Sequence, residues 1–194
     1  MEIVALGRGA AKAHKRVWIQ KFIAKIKPLG AEERELKYNG IISKADGMAD
    51  ELKGGLAQAI SQKRAIRKDE IMEAVAAFKG VEKSFRKAMR MKENDPRAYE
   101  KYADFLVDFA NDWVELSYLN RGELIARGVF PEAAKNAADE AMKYCTLAWN
   151  RGKNERLLEK YAQAKLASER AEIAQAVLMG SERDETPVKG GAKA

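Results

Sequence analysis

Apolar residues along this chain recur at steps of three, four and seven, the repeat of helices that bury one face. In residues 61–92, Ile71, Val75, Phe78, Phe85 and Met89 share such a face. Between residues 10 and 27 the apolar face is Trp18, Ile19, Phe22, Ile23 and Ile26, and Pro28-Leu29-Gly30 ends the helix. The strongest pattern runs from Arg97 to Leu119, where Tyr99, Tyr102, Leu106, Phe109, Trp113 and Leu116 fall on one side. A helix over residues 131–150 starts at Pro131 and lines Ala133, Ala137, Ala141 and Cys145 along a packing seam. The last helix, residues 153–179, carries alanine on nearly every side, with Leu157, Tyr161, Ile173 and Val177 as larger anchors. Strand-type alternation is scarce and β-branched Thr is rare, so the fold class is all-α. Basic N-terminal helices or an arm precede an antiparallel helical bundle.

Punctuation sets the expected boundaries. Gly40, Gly47 and the Gly54-Gly55 pair divide the region after Gly30 into a short helix over 32–38, a turn, and a helix over 41–52, with Gly54-Gly55 as hinge. Asp69 marks a kink or a new N-cap, and Asp95-Pro96 starts the next helix. Asn120-Arg121-Gly122 and Asn150-Arg151-Gly152 predict two turns closed by a left-handed glycine. The expected organisation is a basic helical arm over 1–55, opened by an extended stretch over 1–9, a bundle over 56–180 and a flexible tail over 181–194.

Charge changes this picture from a plain bundle to a divided one. Residues 1–97 hold 22 basic and 13 acidic side chains, a net +9; the remainder hold 14 and 16, a net −2. A basic half suits a polyanion, whether nucleic acid or an anionic membrane. Lys79, Lys83, Arg86, Lys87 and Arg90 share one helical face, a row about 16 Å long at 1.5 Å per residue. Lys63, Arg64, Arg67 and Lys68 precede it, and Arg8, Lys12, Lys15, Arg16, Lys21, Lys25 and Lys27 lie in the arm. These sixteen cations are the candidate DNA-binding residues. The arm helix, with cations on both flanks of an aromatic stripe, reads three ways: a core helix with snorkelling lysines, a helix on phosphates, or an interfacial membrane helix. Asp104, Asp108, Asp112 and Glu115 form an acidic stripe on the strongest helix. It reads as a solvated face or as a contact with a neighbouring subunit's cations.

Catalytic chemistry finds few materials. There is one cysteine, Cys145, and one histidine, His14, with no acidic partner nearby in sequence. Neither a phosphate-binding glycine loop nor a dinucleotide fingerprint is present. Three aspartates at four-residue steps without turn oxygens enclose a cation poorly. The expectation is therefore no enzyme, no cofactor, no metal and no small-molecule substrate. No apolar run approaches a membrane span, which points to a protein inside a cell or assembled there.

The arm cations, the basic helix that follows and the bundle from Arg97 onward resemble, in architecture, the major coat proteins of filamentous archaeal viruses. The resemblance covers most of the chain and rests on no specific motif. It implies a virion protein, assembled in the host cytoplasm, that wraps linear double-stranded DNA. Its partners would be other copies of itself and, as in that family, a paralogous coat protein. Two alternatives remain beside it. One is a membrane-remodelling filament protein of the ESCRT-III type, with membrane the less favoured partner. The other is a soluble cytoplasmic DNA-packaging protein.

Overall fold

The computed structural model describes residues 30–122 and 124–180, without the side chains of residues 124–127. The chain forms two units, residues 1–37 and 38–194. In the first, the described residues are 30–37, helical from Ala31. The second contains an all-α bundle. Among the described residues the elements are α1 (Ala31–Ser61), α2 (Lys68–Met91), α3 (Arg97–Leu119), α4 (Leu124–Gly152) and α5 (Arg156–Gly180). The arm over 1–29 and the tail over 181–194 lie outside the described residues.

α1 corrects the expected break-up of this region. It is one helix through Gly40, Gly47, Gly54 and Gly55, without a hinge, and position 55 falls inside it. The reason is its other face. Tyr38, Ile42, Ala45, Ala49, Leu52, Leu56 and Ala59 are all buried and recur at alternating steps of four and three. Tertiary packing of that seam overrides the weak helix propensity of the glycines, about 1 kcal/mol each.

α2 follows a short connector. Lys63 takes a left-handed conformation (φ 50°) in the turn. The Arg67 N–H, at the N-cap, donates to the Glu70 carboxylate at 2.7 Å, so the cap falls two residues before Asp69 and the helix starts at Lys68. Asn120 at the end of α3 holds this connector from within. Its side-chain oxygen accepts from the Ile66 N–H at 3.1 Å, and its amide donates to the Leu116 carbonyl.

α3 is the central helix. Phe78 of α2 lies 4.4 Å from Phe109 between ring centroids, and Phe85 lies 5.4 Å from Tyr102, so α2 and α3 run in opposite directions. Trp113 meets Phe130 and Tyr99 meets Tyr144, which gives α3 and α4 the same relation. α5 returns along α4, where the Ser168 hydroxyl donates to Asp139 and Lys135 pairs with Glu172.

α4 begins before Pro131, which sits inside it. Phe130 is buried against Trp113, and this contact anchors the turn that precedes the proline. The two Asn-Arg-Gly turns also differ from expectation, because neither glycine has positive φ. Gly152 is the last residue of α4, and Lys153 takes the left-handed conformation (φ 43°). A Cβ on Gly152 would come within 2.9 Å of the Pro96 ring, so close approach explains this glycine. On α5 the expected anchors Tyr161, Ile173 and Val177 are exposed, and Ala164, Ala167, Ala171 and Ala174 face the core beside Leu157.

Candidate nucleic-acid interface

The expected basic helix forms as α2, and its two faces are sharply divided. Val81, Phe85, Ala88 and Met89 are buried, and Phe78 packs on Phe105 and Phe109. Gly80 marks where α1 crosses: a Cβ there would lie 2.6 Å from the Met48 methyl. A helix held by these contacts presents its outer face at fixed spacing. On that face Lys79, Lys83, Lys87 and Arg90 are exposed and make no ion pair with a described residue. They fall within an arc of about 80° and span about 16 Å along the axis. Arg90 lies in the last turn, where the helix dipole favours a cation.

The other candidates separate by residue type. Arg64 makes a two-pronged contact with Glu70, at 2.9 and 3.0 Å. Hydrogen bonds from Arg64 and from the Arg67 N–H hold the Glu70 carboxyl down to about 2. Arg67 also pairs with Asp69. Arg86 bridges Glu82 of its own helix and Glu140 of α4. These three arginines serve the fold first. Lys63 and Lys68 are exposed and have no described ion pair, one in the connector and one at the start of α2. Arg8, Lys12, Lys15, Arg16, Lys21, Lys25 and Lys27 lie outside the described residues.

Sequence reasoning missed Lys143. It is exposed on α4 along the flank that carries Asn136 and Glu140, the side that borders α2. The α2–α4 adjacency shown by Arg86 and Glu140 puts that flank of α4 on the α2 side, and no local spacing signals it.

The acidic stripe of α3 is answered inside the chain. Asp104 pairs with Lys160 of α5 at 3.2 Å, Asp108 with Lys53 of α1 at 2.6 Å, and Glu115 with Arg170 of α5. Asp46 of α1 likewise receives Lys101. α1 and α5 thus supply cations to three of the four residues of the stripe within the chain itself. Asp112 is the exception. It is partly buried, has no ion pair with a described residue, and its carboxyl is pushed up to about 6, first by burial and then by Asp108.

Surface hollows among the described residues accompany this arrangement. A groove of about 360 Å³ between α1 and α2 is lined by Leu52, Leu56, Glu51, Glu70, Glu73 and Arg64. A mostly apolar one of about 270 Å³ lies between Phe78, Phe109, Trp113, Val129 and Ala133. A third, of about 280 Å³, lies between Trp149 of α4 and Leu158 of α5. None brings a nucleophile and a base together. Among the described residues no cluster of His, Cys, Asp or Glu could hold a metal, and no helix is long and apolar enough to cross a membrane. Cys145 is buried in the α4–α5 seam, and burial pushes its thiol up to about 11. Comparison with known proteins returns no match, whether among protein-family models, curated sequences or solved structures.

Proposed function

We propose that this chain is a structural, non-enzymatic protein that binds double-stranded DNA without reading its sequence and assembles with other copies into a helical filament. That is the role of a viral coat protein in a virion. The observation that carries the reading is how the cations are spent. Lys53, Lys101, Lys135, Lys160, Arg64, Arg86 and Arg170 are matched by carboxylates of the same chain. Lys79, Lys83, Lys87 and Arg90 are left together on one rigid face. A row of unmatched cations repels itself, and a polyanion relieves this by releasing its counterions as it binds. Lysine acts as a point charge towards phosphate and carries little base preference. No asparagine or glutamine stands within the row to read base edges.

The test is a salt titration with mixed-sequence duplex DNA. Replacing Lys79, Lys83, Lys87 and Arg90 by Gln removes up to four phosphate contacts. The slope of log K against log salt should flatten by about 3 to 4, with the helical signal unchanged. An unchanged slope removes α2 from the interface. Binding to anionic vesicles without affinity for DNA would replace nucleic acid by membrane as the partner.

A further inference from the structure

Among the described residues, six of the ten well-exposed large apolar side chains lie on α5. Leu166, Ile173 and Val177, at 57, 59 and 55% exposure, follow one another at steps of seven and four and so share one face. Alanines fill the opposite face, so α5 packs closely on α3 and α4 and turns its bulk outward. Those three residues together expose on the order of 300 Å² of apolar surface. That is the size of the largest contiguous patch on an ordinary monomer, and such patches commonly mark a contact surface.

α1 offers a surface of the matching shape. Gly40, Gly47 and Gly54 repeat at the seven-residue step that separates Leu166 from Ile173. They point away from the core seam, and a Cβ at any of them would meet nothing within 4 Å. Three interior glycines weaken a helix, and no described residue uses the space they leave. A row of glycines forms a shallow trough between side-chain ridges, into which branched side chains of another helix fit. The rims carry both signs: Lys44 and Glu51 beside the trough, Lys165 and Glu169 beside the α5 face, all exposed and without a described ion pair.

We propose that the Leu166, Ile173 and Val177 face of α5 docks onto the glycine trough of α1 in a second copy of this chain. The two faces differ, so each docked subunit keeps one of each free, and the contact propagates as an open chain instead of closing as a dimer. The inference rests on the filament reading above and supplies its joint. It does not involve the cations of α2.

The experiment uses the full chain without DNA, followed by sedimentation velocity over a concentration series. Gly47→Leu introduces a better helix former into open space, so its melting temperature should match or exceed that of the parent, yet assembly should be lost. Ile173→Ser should lose assembly from the other side. Gly47→Leu retains a good α5 face and Ile173→Ser a good trough, so their mixture should form one-to-one dimers and stop there. A Gly47→Leu variant that assembles like the parent overturns the proposal. So does a parent that stays monomeric throughout, or a mixture that stays monomeric. A parent chain that assembles but shows no affinity for duplex DNA would sink the nucleic-acid reading and leave this interface standing.

Discussion

Asp112→Asn should stabilise this protein at neutral pH and do nothing to it in acid. Asp112 stands on α3 with Asp108 one turn before it and Glu115 three residues after. The nearest cation, Lys53, is already engaged by Asp108. Burial, then the Asp108 charge, raises its carboxyl from 3.8 to about 6, with Lys53 opposing. A shift of that size corresponds to about 3 kcal/mol, and partial exposure to water reduces this to about 1–2 kcal/mol. The sign is the reverse of the usual carboxylate case. Below about 3.8 the group is protonated both folded and unfolded, and it costs nothing. Between 3.8 and about 6 the folded chain binds the extra proton, so stability falls as pH rises; above about 6 the full penalty applies. Glu70 and Asp95, whose carboxyls are held low, contribute with the opposite slope, but both are present in parent and variant and cancel in the difference. Urea unfolding followed by circular dichroism at several pH values gives that difference directly. It should be near zero at about pH 3.5 and about 1–2 kcal/mol in favour of the variant at about pH 8. That is a rise of about 2–8 °C in melting temperature for a chain of this size. A difference independent of pH, or a variant less stable at about pH 8, would refute the account of Asp112.

Two further outcomes test the packing. Asn120→Ala leaves the buried Ile66 N–H without its acceptor and should cost about 1–3 kcal/mol in a denaturant titration. Gly80→Ala and Gly152→Ala should part company in the same titration. The Met48 methyl facing Gly80 is a flexible tip that can move, so the change is neutral or stabilising by up to about 1 kcal/mol. The Pro96 ring facing Gly152 cannot yield, so that change should destabilise by about 1–2 kcal/mol.

Where a face was marked by large apolar residues, its helix was legible in the chain. The α3 face with Tyr102, Leu106 and Trp113 is buried as the periodicity implies, and so are Phe85 and Met89 of α2. Where alanine and glycine dominate, the same reasoning fails. α1 was divided at glycines because Ala45, Ala49 and Ala59 give little hydrophobic signal, though they complete an unbroken seam with Tyr38 and Leu52. On α5 the larger anchors divide for a related reason, Leu157 buried and Tyr161, Ile173 and Val177 exposed. Small side chains can be the buried ones when a neighbouring helix comes close, and the larger ones then stay outside. The exposed lysines of α2 could be placed from spacing alone. The loss of Arg64, Arg67 and Arg86 to carboxylates could not, because Glu140 is distant in sequence and the Glu70 cap depends on where α1 stops.

The two charge patterns of this chain do different work, and the structure separates them. An acidic stripe opposite a basic row invites the idea that copies join by attraction between the two. Yet Asp104, Asp108 and Glu115 already face Lys160, Lys53 and Arg170, so the stripe ties α1 and α5 to α3 within one subunit. Each such pair is partly exposed and contributes about 0–1 kcal/mol, which makes them guides to helix register more than sources of stability. Reversing Asp108 and Asp112 to Lys would set new cations against Lys53 in the same subunit. The first effect of that double change would be on the fold, so failure to assemble would say nothing about a joint. The proposed association would have to come from surface that the fold leaves unused. On α5 that surface is apolar, on α1 it is a trough, and neither depends on charge. Salt should therefore weaken the proposed DNA binding through α2 steeply while leaving the proposed assembly through α1 and α5 nearly unchanged, since screening acts on exposed charges and hardly on apolar contact.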